Sequence, residues 1–341
     1  MTEEIFQKTG GVRVAWWQWP NLLSLDAPIV AMVWLWIVGA CERMVFLREI
    51  YAAVFLIVWG VYLLDRIIDA WRTKGRALEK PTARHDFYRR NWAPMMGLLG
   101  GVGAVAVWLI LFRVPQLLLM HGLVASSVVW LYLALNAGRV NALLGATAIA
   151  LAAGSVWLGF YMRQFDQVIL VVVALAGSLL TFVAAQRGAF ERSPAIPKEV
   201  MCGLAFALGI GLPAFVYNSE GLGDLVFSAG MWSFGGVCVL NCLAISVVEA
   251  SADREAQEMA LPQIMPEVAG KIPWMLLVVV GFSAWTVSRG GVLWPVAAAA
   301  GASGILLLGL YTMRGKLGRE GFRVLADVAL LTPLAFLPML G

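Results

Sequence analysis

The sequence predicts an all-α fold, a polytopic membrane helical bundle forming a single integral domain over 1–341. Two observations carry this prediction. The chain is 61% hydrophobic and only 13% charged, against roughly 25% charged residues in soluble domains. Apolar stretches of about 20 residues recur from end to end, each long enough to cross a bilayer core of roughly 30 Å. Backbone polar groups in lipid need internal partners, so the stretches are helices; they are too long and too uniformly apolar for barrel strands.

Residues 1–21 read as a cytoplasmic or interfacial segment. Glu3, Glu4, Lys8 and Arg13 leave no apolar core or cleavage site of a signal peptide. Trp16, Trp17 and Trp19 suit the membrane interface. About eleven spans follow, near 22–42, 49–70, 94–113, 115–136, 140–162, 167–187, 197–217, 226–249, 272–289, 291–313 and 322–340. With the N-terminus in the cytoplasm, most basic residues lie on the inner side, among them Arg89 and Arg90 in the first long loop and Arg314, Lys316, Arg319 and Arg323 before the last span. Only Arg43, Arg48, Arg113, Arg163 and Arg289 fall outside, a bias that sets the orientation. This placement explains the net charge of +4 without a nucleic-acid partner. Cys41, Cys202, Cys238 and Cys242 sit in or beside apolar segments and support neither a disulfide framework nor a zinc site.

The carboxylates carry the chemical signal. Asp65 and Asp69 close one apolar run; Glu249 and Asp253 close another. Each pair is spaced i, i+4 and shares a helix face. Both pairs fall at the cytoplasmic level, with Asp26, Glu199 and Asp327. Ionisable groups at membrane depth are costly and mark sites; snorkelling to the interface is the alternative. Two facing pairs could hold divalent cations and, through them, a diphosphate. Mg²⁺ bridges carboxylate and phosphate oxygens and neutralises charge developing on a departing diphosphate. The allylic cation left behind needs a dry, aromatic-lined cavity. Tyr62, Trp59, Trp130, Tyr132 and Trp157 lie within spans, where packing or the interfacial belt accounts for most of them better.

The candidate substrate-binding residues are cations and polar groups near these motifs. Arg66, Arg72, Arg76 and Arg84 could grip a diphosphate, since guanidinium offers phosphate two donors; ordinary positive-inside charge is the alternative. His85 beside Asp86 reads as an acid–base group or a structural one, and His121 lacks a partner in sequence. Lys198 opens span seven and could meet the phosphate, while Gly203, Gly209 and Gly211 would permit close helix packing. Asn241 lies two turns before Glu249 and could contact substrate or a metal-bound water, or pack as a buried amide.

These motifs resemble those of the UbiA superfamily of intramembrane prenyltransferases. The family's first motif, N-D-x-x-D-x-x-x-D, reads here Val61-Tyr62-Leu63-Leu64-Asp65-Arg66-Ile67-Ile68-Asp69, with the leading Asn and Asp replaced. Its R-T-x-x-R-P signature appears as Arg72-Thr73-Lys74-Gly75-Arg76-Ala77, and its second motif, D-x-x-x-D, as Glu249-Ala250-Ser251-Ala252-Asp253. YLLDRIID, RHDFYRR, IPKE, LNCLAISVVE and LADVALLTP are similar to a divergent bacterial branch labelled UbiA-like.

The resemblance implies a nine-helix core with an extra helical pair within 138–190, and the cell inner (plasma) membrane. It implies Mg²⁺ held by Asp65, Asp69, Glu249 and Asp253, and transfer of a prenyl group from a polyprenyl diphosphate to a small acceptor, aromatic in the usual family reaction. A terpene cyclase using the same diphosphate site competes with this reading. So does a non-catalytic lipid-binding or transport protein.

Overall fold

The computed structural model describes residues 16–72, 83–115, 117–119, 121–122, 197–217, 221–256 and 260–340. The expected helical insertion (138–190), the segment before residue 16, Arg76, and the spans predicted at 140–162 and 167–187 lie outside the described residues, as does most of the span at 115–136. So do Trp130, Tyr132 and Trp157, and the side chains of Arg72, His85 and Asp253.

The helices are α1 (Trp19–Leu22), α2 (Asp26–Cys41), α3 (Arg48–Arg72), α4 (Ala83–Arg90), α5 (Trp92–Phe112), α6 (Lys198–Tyr217), α7 (Gly221–Phe227), α8 (Ala229–Ala256), α9 (Leu261–Ile264), α10 (Val268–Arg289), α11 (Trp294–Thr312), α12 (Arg314–Val328) and α13 (Leu337–Leu340). Among the described residues no strand occurs. Six helices, α3, α5, α6, α8, α10 and α11, are long and apolar enough to cross a membrane, and they make this a multi-pass membrane protein. Their outer faces carry exposed apolar side chains, among them Ile57, Trp108, Phe112, Trp274, Val278 and Ile305, as a lipid solvent permits.

Helices held in lipid gain little from apolar burial and associate by close packing. α6 and α8 make the most extensive pairing. At Gly203 a Cβ would stand 2.4 Å from the Val239 backbone nitrogen, so only glycine admits this approach. At Gly211 a Cβ would meet only the ends of the Leu225 and Met231 side chains, which can yield, whereas Gly209 faces open space and has no such role.

One predicted span is entered through a bend and another is broken. The span expected at 22–42 corresponds to α2, which is set at 77° to the preceding segment 16–22, with Ser24 between them in the left-handed region at φ 55°. Trp59 Nε1 donates to the Leu23 carbonyl at 2.8 Å, and the Ser24 and Tyr88 hydroxyls pair at 3.0 Å, satisfying groups freed by the break. The span expected at 322–340 is not one α-helix: α12 kinks at Gly318 (φ 68°) and passes into a 3₁₀ segment, Ala329–Phe336, that contains Pro333. Proline lacks the donor an α-helix needs. Side chains tie this segment down. Trp34 Nε1 donates to the Leu330 carbonyl at 2.8 Å while its ring stacks on Phe234 at 4.0 Å, and Thr332 Oγ1 donates to the Ala299 carbonyl at 2.7 Å.

Candidate functional site

The last turns of α3 and α8 converge with α4 and α12 on a cluster of buried charge. On α3, Arg66 Nη1 lies 3.5 Å from Asp65 Oδ2 and 3.9 Å from Asp69 Oδ2. On α8, Glu249 is held from two sides. Arg323 Nη1 of α12 donates to its Oε1 at 2.7 Å, and Arg84 Nη2 of α4 approaches its Oε2 at 3.5 Å. Arg323 Nη2 also donates to Glu320 Oε2 at 2.7 Å, and Glu320 Oε1 accepts the Ala83 backbone N–H at 3.3 Å. A carboxylate at this helix start is favourable because the dipole is positive there. This chain of bonds locks the short α4 across the bundle end.

The two acidic motifs share one electrostatic field: Arg66 interacts with Asp65, Asp69 and Glu249, and Arg84 with Glu249, Asp69, Arg66 and Arg323. Burial and then Arg66 push the Arg84 guanidinium below its ordinary range, with Glu249 opposing; at neutral pH an arginine stays charged regardless. Arg323 is 3% exposed and its Nε–H has no hydrogen-bond partner among the described residues.

A cavity of about 30 Å³ lies one to two helical turns from the cluster, room for about two waters. Tyr62 (one turn before Arg66), Asn241 (two turns before Glu249) and Asp327 (one turn after Arg323) line it with Cys202, Cys238 and Cys242. Asn241 Nδ2 donates to Asp327 Oδ1 at 3.1 Å.

The structure thus brings Asp65, Asp69, Glu249, Arg66 and Arg84 together, and puts Tyr62 and Asn241 in the adjoining cavity. Asp253 follows Glu249 by one turn on α8, and Arg72 ends α3. Lys198 opens α6 beside Glu199, whose Oε1 instead accepts the Leu261 N–H at 3.1 Å. His121 Nδ1 pairs with the Leu117 carbonyl of its own turn at 2.9 Å, apart from the cluster. Sequence reasoning assigned no site role to Arg323 and Glu320. The signal was available: Arg323 stands one turn before Asp327, and Glu320 one turn before Arg323, on an amphipathic helix.

Asp65 and Asp69 present hard carboxylate oxygens one turn apart, a donor chemistry that suits Mg²⁺. Each oxygen of Glu249 faces an arginine, so its carboxylate stands between two guanidiniums. Compared with family models, curated proteins and solved structures, the chain matches none.

Proposed function

We propose that this protein is an intramembrane enzyme acting on a polyprenyl diphosphate, passing the prenyl group to a small acceptor. One observation carries the reading: the acidic ends of two membrane helices meet three arginines, the half-buried Arg66 and the buried Arg84 and Arg323, at one end of the bundle. The resemblance to the UbiA superfamily supports it, and with it a nine-helix core and a cytoplasmic site. Asp65 and Asp69 would hold Mg²⁺, together with Asp253 as the motif implies; the ion supplies neutralisation of diphosphate charge. Arg66 and Arg84 bind phosphate oxygens through paired donors. Arg323 and Glu249 position Arg84, and Tyr62 offers an aromatic face to the cavity below. The transmembrane helices keep water from the reacting carbon.

The test is pyrophosphate release by purified protein in detergent with Mg²⁺ and geranyl, farnesyl or geranylgeranyl diphosphate, with organic extracts analysed by mass spectrometry. Asp65→Ala is expected to abolish release while the far-UV circular dichroism is retained. Full turnover by this variant removes the α3 pair from the mechanism. A cyclic product formed without acceptor replaces transfer by cyclisation.

A further inference from the structure

The start of α10 meets the end of α11 where the Tyr311 hydroxyl donates to the Ala269 carbonyl at 2.7 Å. Three cations gather at this corner of the bundle. Lys271 lies two residues beyond Ala269 on α10, and Arg314 and Lys316 open α12 directly after α11. All three are exposed. Arg314 is nonetheless held in place. Its Cζ sits 4.2 Å from the centre of the Tyr311 ring, and its Nη1 donates to the Tyr311 carbonyl at 2.8 Å. Tyr311 is 1% exposed, so the ring is a fixed seat for the guanidinium and the attraction of its face is partly desolvated. Of the five donors of an arginine, this bond engages one.

Among the described residues no carboxylate offsets this charge. Glu267 precedes Lys271 by one turn without forming an ion pair with it. The first turn of α12 holds no acidic residue, and Glu320 is turned to Arg323 at 2.7 Å. The corner is also a polar–apolar boundary. Trp274, three residues after Lys271, is 72% exposed, and Val278, one turn further along the same face, is 71% exposed. Large apolar side chains this open on a membrane helix meet lipid, and tryptophan at the edge of such a face stands at the headgroup level. Guanidinium and ammonium groups at that level match the phosphate of a lipid head. The apolar face below them suits an acyl chain, which a free anion lacks.

We propose that Lys271, Arg314 and Lys316 form a headgroup site for an anionic phospholipid whose acyl chains lie along the apolar face that begins at Trp274. Arg314, seated on Tyr311, is the fixed donor to the phosphate, and the two lysines supply charge beside it. The site is distinct from the cluster of Asp65, Asp69 and Glu249 and does not depend on the prenyl-diphosphate reading.

The experiment is native mass spectrometry and thermal unfolding of purified protein in a neutral detergent, titrated with dioleoylphosphatidylglycerol against dioleoylphosphatidylcholine, without Mg²⁺ or prenyl diphosphate. Wild type is expected to retain the anionic lipid in preference to the zwitterionic one and to show a saturable rise in unfolding midpoint with the anionic lipid alone. Arg314→Gln and Lys271→Gln each weaken apparent affinity for phosphatidylglycerol about 5-fold, the worth of one basic side chain near an anionic surface. Arg113→Gln keeps wild-type affinity; Arg113 also lies over a ring, that of Trp108, but at the far end of α5. Inorganic phosphate at the same concentration leaves the midpoint unchanged. Should Arg314→Gln fail to fold, Lys271→Gln and Lys316→Gln carry the same comparison. Equal binding of the two lipids, a rise that inorganic phosphate reproduces, wild-type affinity in the variants of this corner, or an equal loss in Arg113→Gln each overturn the proposal.

Discussion

Arg323→Ala isolates the bond that holds the charged cluster together. Arg323 is 3% exposed and donates at 2.7 Å to both Glu249 and Glu320. The Glu320 side chain is 26% exposed, so that half of the interaction is screened and contributes at most about 1 kcal/mol. The Glu249 half is buried on both sides. Arg84 remains 3.5 Å from Glu249 and keeps its charge partly compensated, so the loss falls below the about 3–5 kcal/mol of an uncompensated buried charge. The expected loss is that of one hydrogen bond between charged groups, about 1.5–3 kcal/mol. Equilibrium unfolding in mixed SDS–detergent micelles, followed by far-UV circular dichroism, measures it. A double-mutant cycle with Glu249→Gln is expected to give a coupling energy of about 1.5–3 kcal/mol, the range for hydrogen bonds to charged groups. Arg323→Ala within about 0.5 kcal/mol of wild type, the range of an ordinary surface substitution, would refute the reasoning. So would strict additivity in the cycle, because residues in contact are expected to couple.

Further outcomes follow from the packing and the proposed chemistry. Gly203→Ala drives a methyl into the Val239 backbone and is expected to destabilise by about 1–3 kcal/mol, whereas Gly209→Ala, facing open space, should be neutral in the same unfolding assay. Trp34→Phe keeps a ring against Phe234 but leaves the Leu330 carbonyl without its donor; a loss of about 1–3 kcal/mol is expected. Pyrophosphate release should stop in excess chelator and return with added Mg²⁺; undiminished release would remove the divalent ion from the reaction.

Much of this protein was legible in its sequence because hydropathy and helix length are local properties. A run of about 20 apolar residues specifies a membrane helix wherever it packs, so the predicted spans at 49–70, 94–113, 197–217 and 272–289 correspond to α3, α5, α6 and α10 within a few residues. The i, i+4 spacing of Asp65 and Asp69 likewise follows from the helix alone. Partnership is different, because it depends on which helix ends meet. Glu249 is paired with Arg84 and Arg323, 165 and 74 residues away, so the motif's pattern could be read but not the fact that arginines occupy its carboxylate. Asp26 and Asp327 were recognisable as acids at membrane depth, but the bond from Asn241 to Asp327, 86 residues apart, depends on how α8 and α12 meet. The bend before α2 and the 3₁₀ segment after α12 occur in stretches that remain apolar, which hydropathy cannot distinguish from a continuous span. They persist because Trp59, Tyr88, Trp34 and Thr332, brought in from other helices or from along the chain, satisfy the backbone and side-chain groups that the breaks leave free.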